Sequence, residues 1–258
     1  MSPTDEIVPV LKKLRLSGVL QTLELRTRQA IEDSLSFPEF LYRTMNDEVE
    51  RRDQKQLDMR LRRAAFEAHK TVEDFDFAFN PEIPKAKMID LCTCHFVRRK
   101  EAVLLVGPAG VGKSHLAQAI GHRACLAGHT VLYTTANQML ATLRAARADQ
   151  SYDRKLLRYT TTELLVVDDL GLRPLRDFEP EDVYEVIRQR YERSATIWTS
   201  NRAEAEWYPM FGDELLASAA MDRLLHHGAV IELTGESYRD PRRRGGPAAA
   251  ARQEARGA

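Results

Sequence analysis

Long apolar runs are the first thing this 258-residue chain lacks. No stretch approaches the roughly 18 consecutive apolar residues of a membrane span, so none is expected. The opening MSPTDEIVPVLKK sets acids ahead of a short, broken apolar patch, the wrong order for a secretory signal, and the expected location is the cytoplasm. Cysteine is scarce: three thiols make no disulfide framework. Cys92 and Cys94 stand beside His95 in CTCH, but no second pair follows at finger spacing, so buried thiols are expected rather than a metal centre. Net charge is missing too. Thirty-eight basic residues balance 38 acidic ones, so contact with a polyanion must come from local arrangement. What is present, 43% hydrophobic residues, suffices for a sizeable interior.

Residues 1–70 read as helical, with Leu11, Leu14, Val19, Leu20 and Leu23 spaced along one face. Ser36-Phe37-Pro38-Glu39 has the form of a capping box with proline in the first turn, and predicts a long helix over about 38–69. Residues 71–87 hold Pro81, Pro84 and the cluster Phe75, Phe77 and Phe79; they are expected to be a linker lying against the next domain. From residue 88 short apolar runs alternate with helix-length segments. Strands are predicted at 103–106, 130–134, 164–168, 196–200 and 230–233, giving an α/β fold with a five-stranded, mainly parallel sheet over 88–237. The Arg-rich remainder, 238–258, is low in large apolar residues and is expected to be disordered.

Between the first predicted strand and the helix-capable run HLAQAIGHRACLA lies GPAGVGKS, residues 107–114, which fits G-x-x-x-x-G-K-[ST]. Gly107, Gly110 and Gly112 permit close backbone approach. With Pro108, Ala109, Val111 and His115 they make a loop whose amides can converge on phosphate oxygens at a helix N-terminus. Lys113 is positioned to reach the β and γ phosphates of ATP, and the Ser114 hydroxyl to hold Mg²⁺. LLVVDDLG, residues 164–171, supplies two acids at a strand end: Asp168 suits the metal, Asp169 the attacking water. An Asp-Asp-Leu-Gly turn is the alternative. Asn201 closes TIWTSN at the edge where open α/β sheets keep ligands, and could hold the water or the γ phosphate.

GPAGVGKSHLAQAIG, LLVVDDLG, WTSNR and AAMDRLLHHGAVIELTGESYR together resemble the IstB-like branch of AAA+ ATPases, transposition helpers of bacterial insertion sequences, close to DnaC-type helicase loaders. LKKLRLSGVLQTLELRTRQA and FPEFLYRTMNDEVERR are similar to that family's helical N-terminal segment. The resemblance implies a P-loop AAA+ domain behind a small all-helical domain, with Lys113 and Ser114 as Walker A, Asp168 and Asp169 as Walker B, and Asn201 as sensor. It also implies that Arg223, in MDRLL, is an arginine finger completing a neighbour's site in a homo-oligomer, a task suited to a permanently charged guanidinium. From the residues alone Arg223 fits a salt bridge with Asp222 or Glu214. Arg239 is a secondary candidate for the nucleotide. After Gly235 too little sequence remains for a full helical lid.

In the helix predicted over 38–69, Arg51, Arg52, Lys55, Arg62 and Arg63 fall within about a third of the circumference. Such a stripe can neutralise phosphates. The interspersed Glu48, Glu50, Asp53 and Asp58 also fit a solvated, salt-bridged helix. The resemblance implies an ATP-dependent assembly factor that binds double-stranded DNA and stimulates a partner transposase, with a helicase loader as the alternative. A metabolic P-loop kinase fits less well, since no acceptor pocket or lid is legible.

Overall fold

The computed structural model describes residues 3–239, so the Arg-rich stretch from residue 240 onward lies outside the described residues. The chain divides into two compact units, the first ending at Met59 and the second beginning at Arg60. Among the described residues no helix is long and apolar enough to cross a membrane.

The first unit is built from α1 (Pro3–Lys13), α2 (Ser17–Glu32) and most of α3 (Phe37–Ala64). Leu11, Val19 and Leu23 are buried together, with Leu16, Leu20 and Phe40 packed against them. Leu14 is 59% exposed, against expectation. A turn at Arg15, φ 57°, breaks the chain into two helices and takes Leu14 off the shared face. Only half of the capping box forms: the Glu39 N–H donates to Ser36 Oγ at 3.4 Å, while the Glu39 carboxylate accepts from Arg43 instead. α3 stops at Ala64, short of 69, because Ala65 turns into the left-handed region at φ 58°.

So small an apolar cluster leaves polar contacts to hold α2 on α3. Arg26 donates two bonds to Asp47, from Nε at 2.8 Å and Nη2 at 2.6 Å. Glu48, 4% exposed, accepts from the Gly18 N–H and from Arg51 and Arg52. Gly18 is required by proximity: a Cβ there would sit 2.7 Å from Glu48 Cα and 2.8 Å from the Asp47 carbonyl oxygen.

The two units meet between Met59 and Arg60, whereas a division at residue 70 was expected. The last turn of α3 belongs to the second unit, where Arg60 donates to the Cys125 carbonyl at 3.2 Å, Ala64 is fully buried, and the Phe66 ring covers Gly121. A strap over 65–84 follows, then α4 (Lys85–Cys92) and α5 (His95–Arg99). All five strands are present, three longer than expected: β1 (Ala102–Val106), β2 (Val131–Thr135), β3 (Leu164–Leu170), β4 (Ala195–Ser200) and β5 (Ala229–Glu232). They pair in parallel in the order β2-β3-β4-β1-β5.

Helices cover both sheet faces, which is why the central strands are buried along nearly their whole length, with apolar runs such as Leu164–Val167 and Val103–Val106 rather than alternation. On one face Leu104, Leu132, Leu165, Val167 and Trp198 share a core with α7 (Ala136–Ala148), α8 (Tyr152–Thr160), α9 (Glu179–Arg190), α10 (Trp207–Phe211) and α11 (Glu214–His226). α6 (Lys113–Leu126) packs against β1 to β4.

The Arg51 hydrogen bond, reinforced by the Gly18 amide and Arg52, holds the Glu48 carboxyl down at about 2. A carboxylate whose pKa falls on folding contributes stability above its unfolded value and loses it as pH drops toward the folded one. Glu48→Gln should therefore lower the thermal midpoint at neutral pH, and the difference from wild type should shrink as pH falls from about 4.5 toward about 2. A difference constant with pH would contradict this.

Candidate nucleotide site

The glycine loop joins the end of β1 to the first turn of α6. Gly107, Gly110 and Gly112 all have positive φ, at 145°, 87° and 104°. At Gly107 the requirement is also spatial, since a Cβ would lie 2.0 Å from the Leu233 carbonyl oxygen. Pro108 and Ala109 form the exposed tip, Val111 is buried, and Ser114 is half-buried on the first turn of α6. Gly112 caps that helix, so the loop amides lead into its N-terminus, where the macrodipole favours an anion.

Lys113, 4% exposed, folds back along the loop. Its Nζ donates to the carbonyls of Gly107 and Pro108, both at 2.8 Å, and to Asn201 Oδ1 at 2.6 Å. All three ammonium protons thus have protein partners. Burial pushes the Lys113 pKa down, while the charges of Asp169 and Asp168 hold it up. The residue after β4 and the loop lysine, expected at one site, are in direct contact.

Asp168 and Asp169 reach the same end of the sheet by an irregularity in β3. Val167 pairs with Trp198 and Leu170 with Ser200, so β3 spends one more residue than β4 over this step. Asp169 takes that step at φ 57°. Its N–H donates to Thr199 Oγ1 at 2.9 Å, and the Thr199 hydroxyl donates in turn to Asp168 Oδ1. Asp168 Oδ2 accepts from the Tyr133 hydroxyl at 2.7 Å. Both donors to Asp168 are neutral hydroxyls, and among the described residues it forms no ion pair. Burial, then the adjacent Asp168, raises the Asp169 pKa from its ordinary value; Lys113 and Arg239 oppose that rise. Thr199 and Tyr133 were missed in the sequence. Their only signal is hydroxyl-bearing residues in strands that are otherwise apolar.

His115 is held by the strap: its Nε2 lies 2.8 Å from the Thr71 carbonyl oxygen, and its ring meets Phe75 edge-on. The strap does lie on the loop, with the Phe75 ring where a Gly112 Cβ would go. The segment after β5 flanks the loop as well. Tyr238 N–H donates to the Gly110 carbonyl at 2.9 Å, and Asn80 exchanges two bonds, both 2.8 Å, with the backbone of Glu236.

Arg223 lies elsewhere. It shares a cleft with Lys100, Ala102 and Thr196, where β1 and β4 begin, whereas the loop follows the end of β1. A five-residue strand spans roughly 16 Å, so Arg223 cannot serve the loop of its own chain. Its guanidinium donates to the Ala219 carbonyl at 2.8 Å and lies 5.4 Å from the Tyr184 ring centre. Among the described residues it forms no ion pair with Asp222 or Glu214. Cys94 and Cys125 are buried thiols and Cys92 a half-buried one; CTCH forms no metal-binding cluster among the described residues.

A parallel sheet in this order, with a glycine loop between β1 and α6, acids ending β3 and a polar residue after β4, defines a P-loop protein of AAA+ type. The profile of the IstB-like ATP binding protein family matches residues 9–245, and the chain belongs to that family. A Pseudomonas aeruginosa protein named for ATP binding in insertion sequence IS21 is 37% identical over 234 residues, covering 91% of this chain and 88% of the relative. A Mycobacterium tuberculosis protein, likewise named for ATP binding in an insertion sequence, is 40% identical over 237 residues, 92% of this chain and 94% of its own. Among solved structures, the DnaC helicase loader superposes with a TM-score of 0.51 at 20% identity, over 66% of this chain and 97% of its own. Aquifex aeolicus DnaA bound to AMPPCP gives 0.56 at 18% identity, over 67% and 52%. Both show the shared fold.

Thr199→Val keeps the shape of the side chain but strands the Asp169 amide and removes a donor from a buried carboxylate. It should cost roughly 1–3 kcal/mol of unfolding free energy, and Thr199→Ser much less, by chemical denaturation. Equal losses from the two variants would show that the methyl group, not the hydroxyl, is what matters.

Proposed function

We propose that this protein is an Mg²⁺-dependent ATPase that assembles on double-stranded DNA and assists transposition by preparing target DNA and stimulating a partner transposase. The observation that carries the reading is the pairing of the Lys113, Asn201, Asp168 and Asp169 cluster with relatives, matched over nearly their full length, that are named for insertion sequences. The likeness to helicase loaders is one of fold, so it does not favour a loader over a transposition factor.

In this mechanism the loop amides seat the phosphates, and Lys113 exchanges its carbonyl partners for the β and γ oxygens. Ser114 and Asp168 are the oxygen donors that suit Mg²⁺, which supplies charge neutralisation at the phosphates. Asp169 orients and deprotonates the attacking water, helped by its raised pKa. Asn201, released from Lys113, senses the γ phosphate. Arg223 acts in trans, on the site of a neighbouring copy in a homo-oligomer. DNA contact rests on α3, where Lys55, Arg62 and Arg63 are exposed, whereas Arg51 and Arg52 are partly occupied by Glu48.

Lys113→Ala should abolish ATP binding, measured with a fluorescent analogue, while Asp169→Asn should bind normally and hydrolyse at least about 100-fold more slowly, the lower end of what a general base contributes. Wild-type binding by Lys113→Ala would remove the central reading. Arg223→Ala should bind ATP as a monomer yet lose the stimulation that accompanies assembly. Mixed with Asp169→Asn subunits it should recover activity, because some interfaces then pair an intact arginine with an intact acid; no recovery in demonstrated co-assemblies would refute action in trans.

The partner is tested with matched duplex and single-stranded oligonucleotides across a salt series. Duplex binding that needs ATP and Mg²⁺ and falls steeply with salt is expected. Replacing Lys55, Arg62 and Arg63 by Ala should flatten the slope without changing ATP affinity. A preference for single strands would favour the loader.

A further inference from the structure

At the corner of the second unit where α9 and α11 both end, Glu192, His226 and His227 stand together, all exposed. Each can offer one ligand atom, and those atoms lie within 4.8 Å of one another. His227 Nε2 is 3.5 Å from Glu192 Oε1, and the two imidazole rings are centred 4.0 Å apart. The hydroxyl of Tyr191 lies 2.6 Å from His226 Nδ1. None of these residues takes part in the nucleotide chemistry described above. The corner also borders the Arg223 cleft, at the sheet edge opposite the glycine loop.

We propose that Glu192, His226 and His227 form a binding site for one divalent first-row transition metal of the zinc class, with a fourth position open to water. Two imidazoles and a carboxylate are a donor set for zinc or its neighbours, and the nitrogens disfavour Mg²⁺ and Ca²⁺, which take oxygen ligands. A tetrahedral centre with arms of about 2.1 Å needs its ligand atoms roughly 3.4 Å apart. From within 4.8 Å, that closure asks only for rotations of side chains already in solvent. The carboxylate supplies negative charge against the nearby Arg223 cation. The Tyr191 hydroxyl is a partner that fixes the ring and tautomer of a metal-binding imidazole, leaving its second nitrogen for the metal. A metal held here would tie the turn after α9 to the end of α11.

The test uses the full-length, untagged protein without nucleotide, titrated with Co²⁺ in excess Mg²⁺ and followed by visible absorption. One equivalent should bind with a tetrahedral d–d spectrum and no thiolate-to-cobalt charge-transfer band, and one equivalent of Zn²⁺ should displace it. The pair His226→Gln with His227→Gln should abolish the spectrum, Glu192→Gln should weaken binding, and Tyr191→Phe should weaken it about 10-fold. All four side chains lie at the surface or part-way to it, so unchanged circular dichroism should show the variants folded. No saturable spectrum, a spectrum that survives the double histidine variant, or a thiolate band would overturn the proposal. The readout is independent of ATP hydrolysis, so it stands or falls apart from the reading of the nucleotide site.

Discussion

One extra residue in β3 governs how the nucleotide site is assembled. Two successive residues of a regular strand point to opposite sheet faces, so tandem acids would ordinarily send one carboxylate away. The step between Val167 and Leu170, taken against only two residues of β4, with Asp169 in the left-handed region, breaks that alternation. Both acids then bear on the charge of Lys113. A single hydroxyl, Thr199, accepts from one acid's amide and donates to the other's carboxylate, so the irregular step is fixed by a residue of the neighbouring strand. The β3–β4 register thus sets the chemistry, and the glycine loop is placed by the same ladder, since the Gly107 N–H donates to the Ser200 carbonyl at 3.2 Å.

Polar groups do structural work at three places where apolar packing runs short. Glu48 gathers a helix amide and two arginines in the first unit, whose apolar core is small. At the start of the strands Arg190, 1% exposed, donates to the carbonyls of Tyr159, Thr162 and Ala195 at 2.7, 2.9 and 2.5 Å. It gathers the ends of α8, β3 and β4 with no carboxylate partner among the described residues, and burial pushes its pKa down to about 9. At the far edge Lys113 draws together the loop and Asn201. The first two are permanent fastenings. Lys113 is the one whose partners a phosphate can replace.

Much of this was legible in the sequence because it is periodic or stereotyped. Five apolar runs marked five strands, and the spacing of Gly107, Gly110, Gly112 and Lys113 requires a turn between a strand and a helix. Asp168 and Asp169 could be read as a pair, but not the bulge that makes them one, because a bulge depends on the register of another strand. A division was expected at residue 70, where the helical pattern ends, whereas contacts change partner within α3, at Arg60, and periodicity carries no mark of such a change. Leu14 fitted the apolar spacing and still faces water, since the turn at Arg15 left no mark in the pattern. For Arg223 the residues alone offered a salt bridge to Asp222 or Glu214 that the structure does not contain among the described residues.

Asn80 and Glu236 are separated by 156 residues, yet they exchange paired bonds on the flank of the glycine loop. Joining residues so distant in sequence carries a loop-closure entropy cost, which pairing of the intervening strands reduces. The contacts on the loop flank therefore depend on the pairing of the strands between Ala102 and Glu232, which brings the two distant segments together. In a chain emerging from the ribosome, the nucleotide loop is translated well before Glu236 and Tyr238, so its surroundings cannot be completed until those two residues have left the exit tunnel.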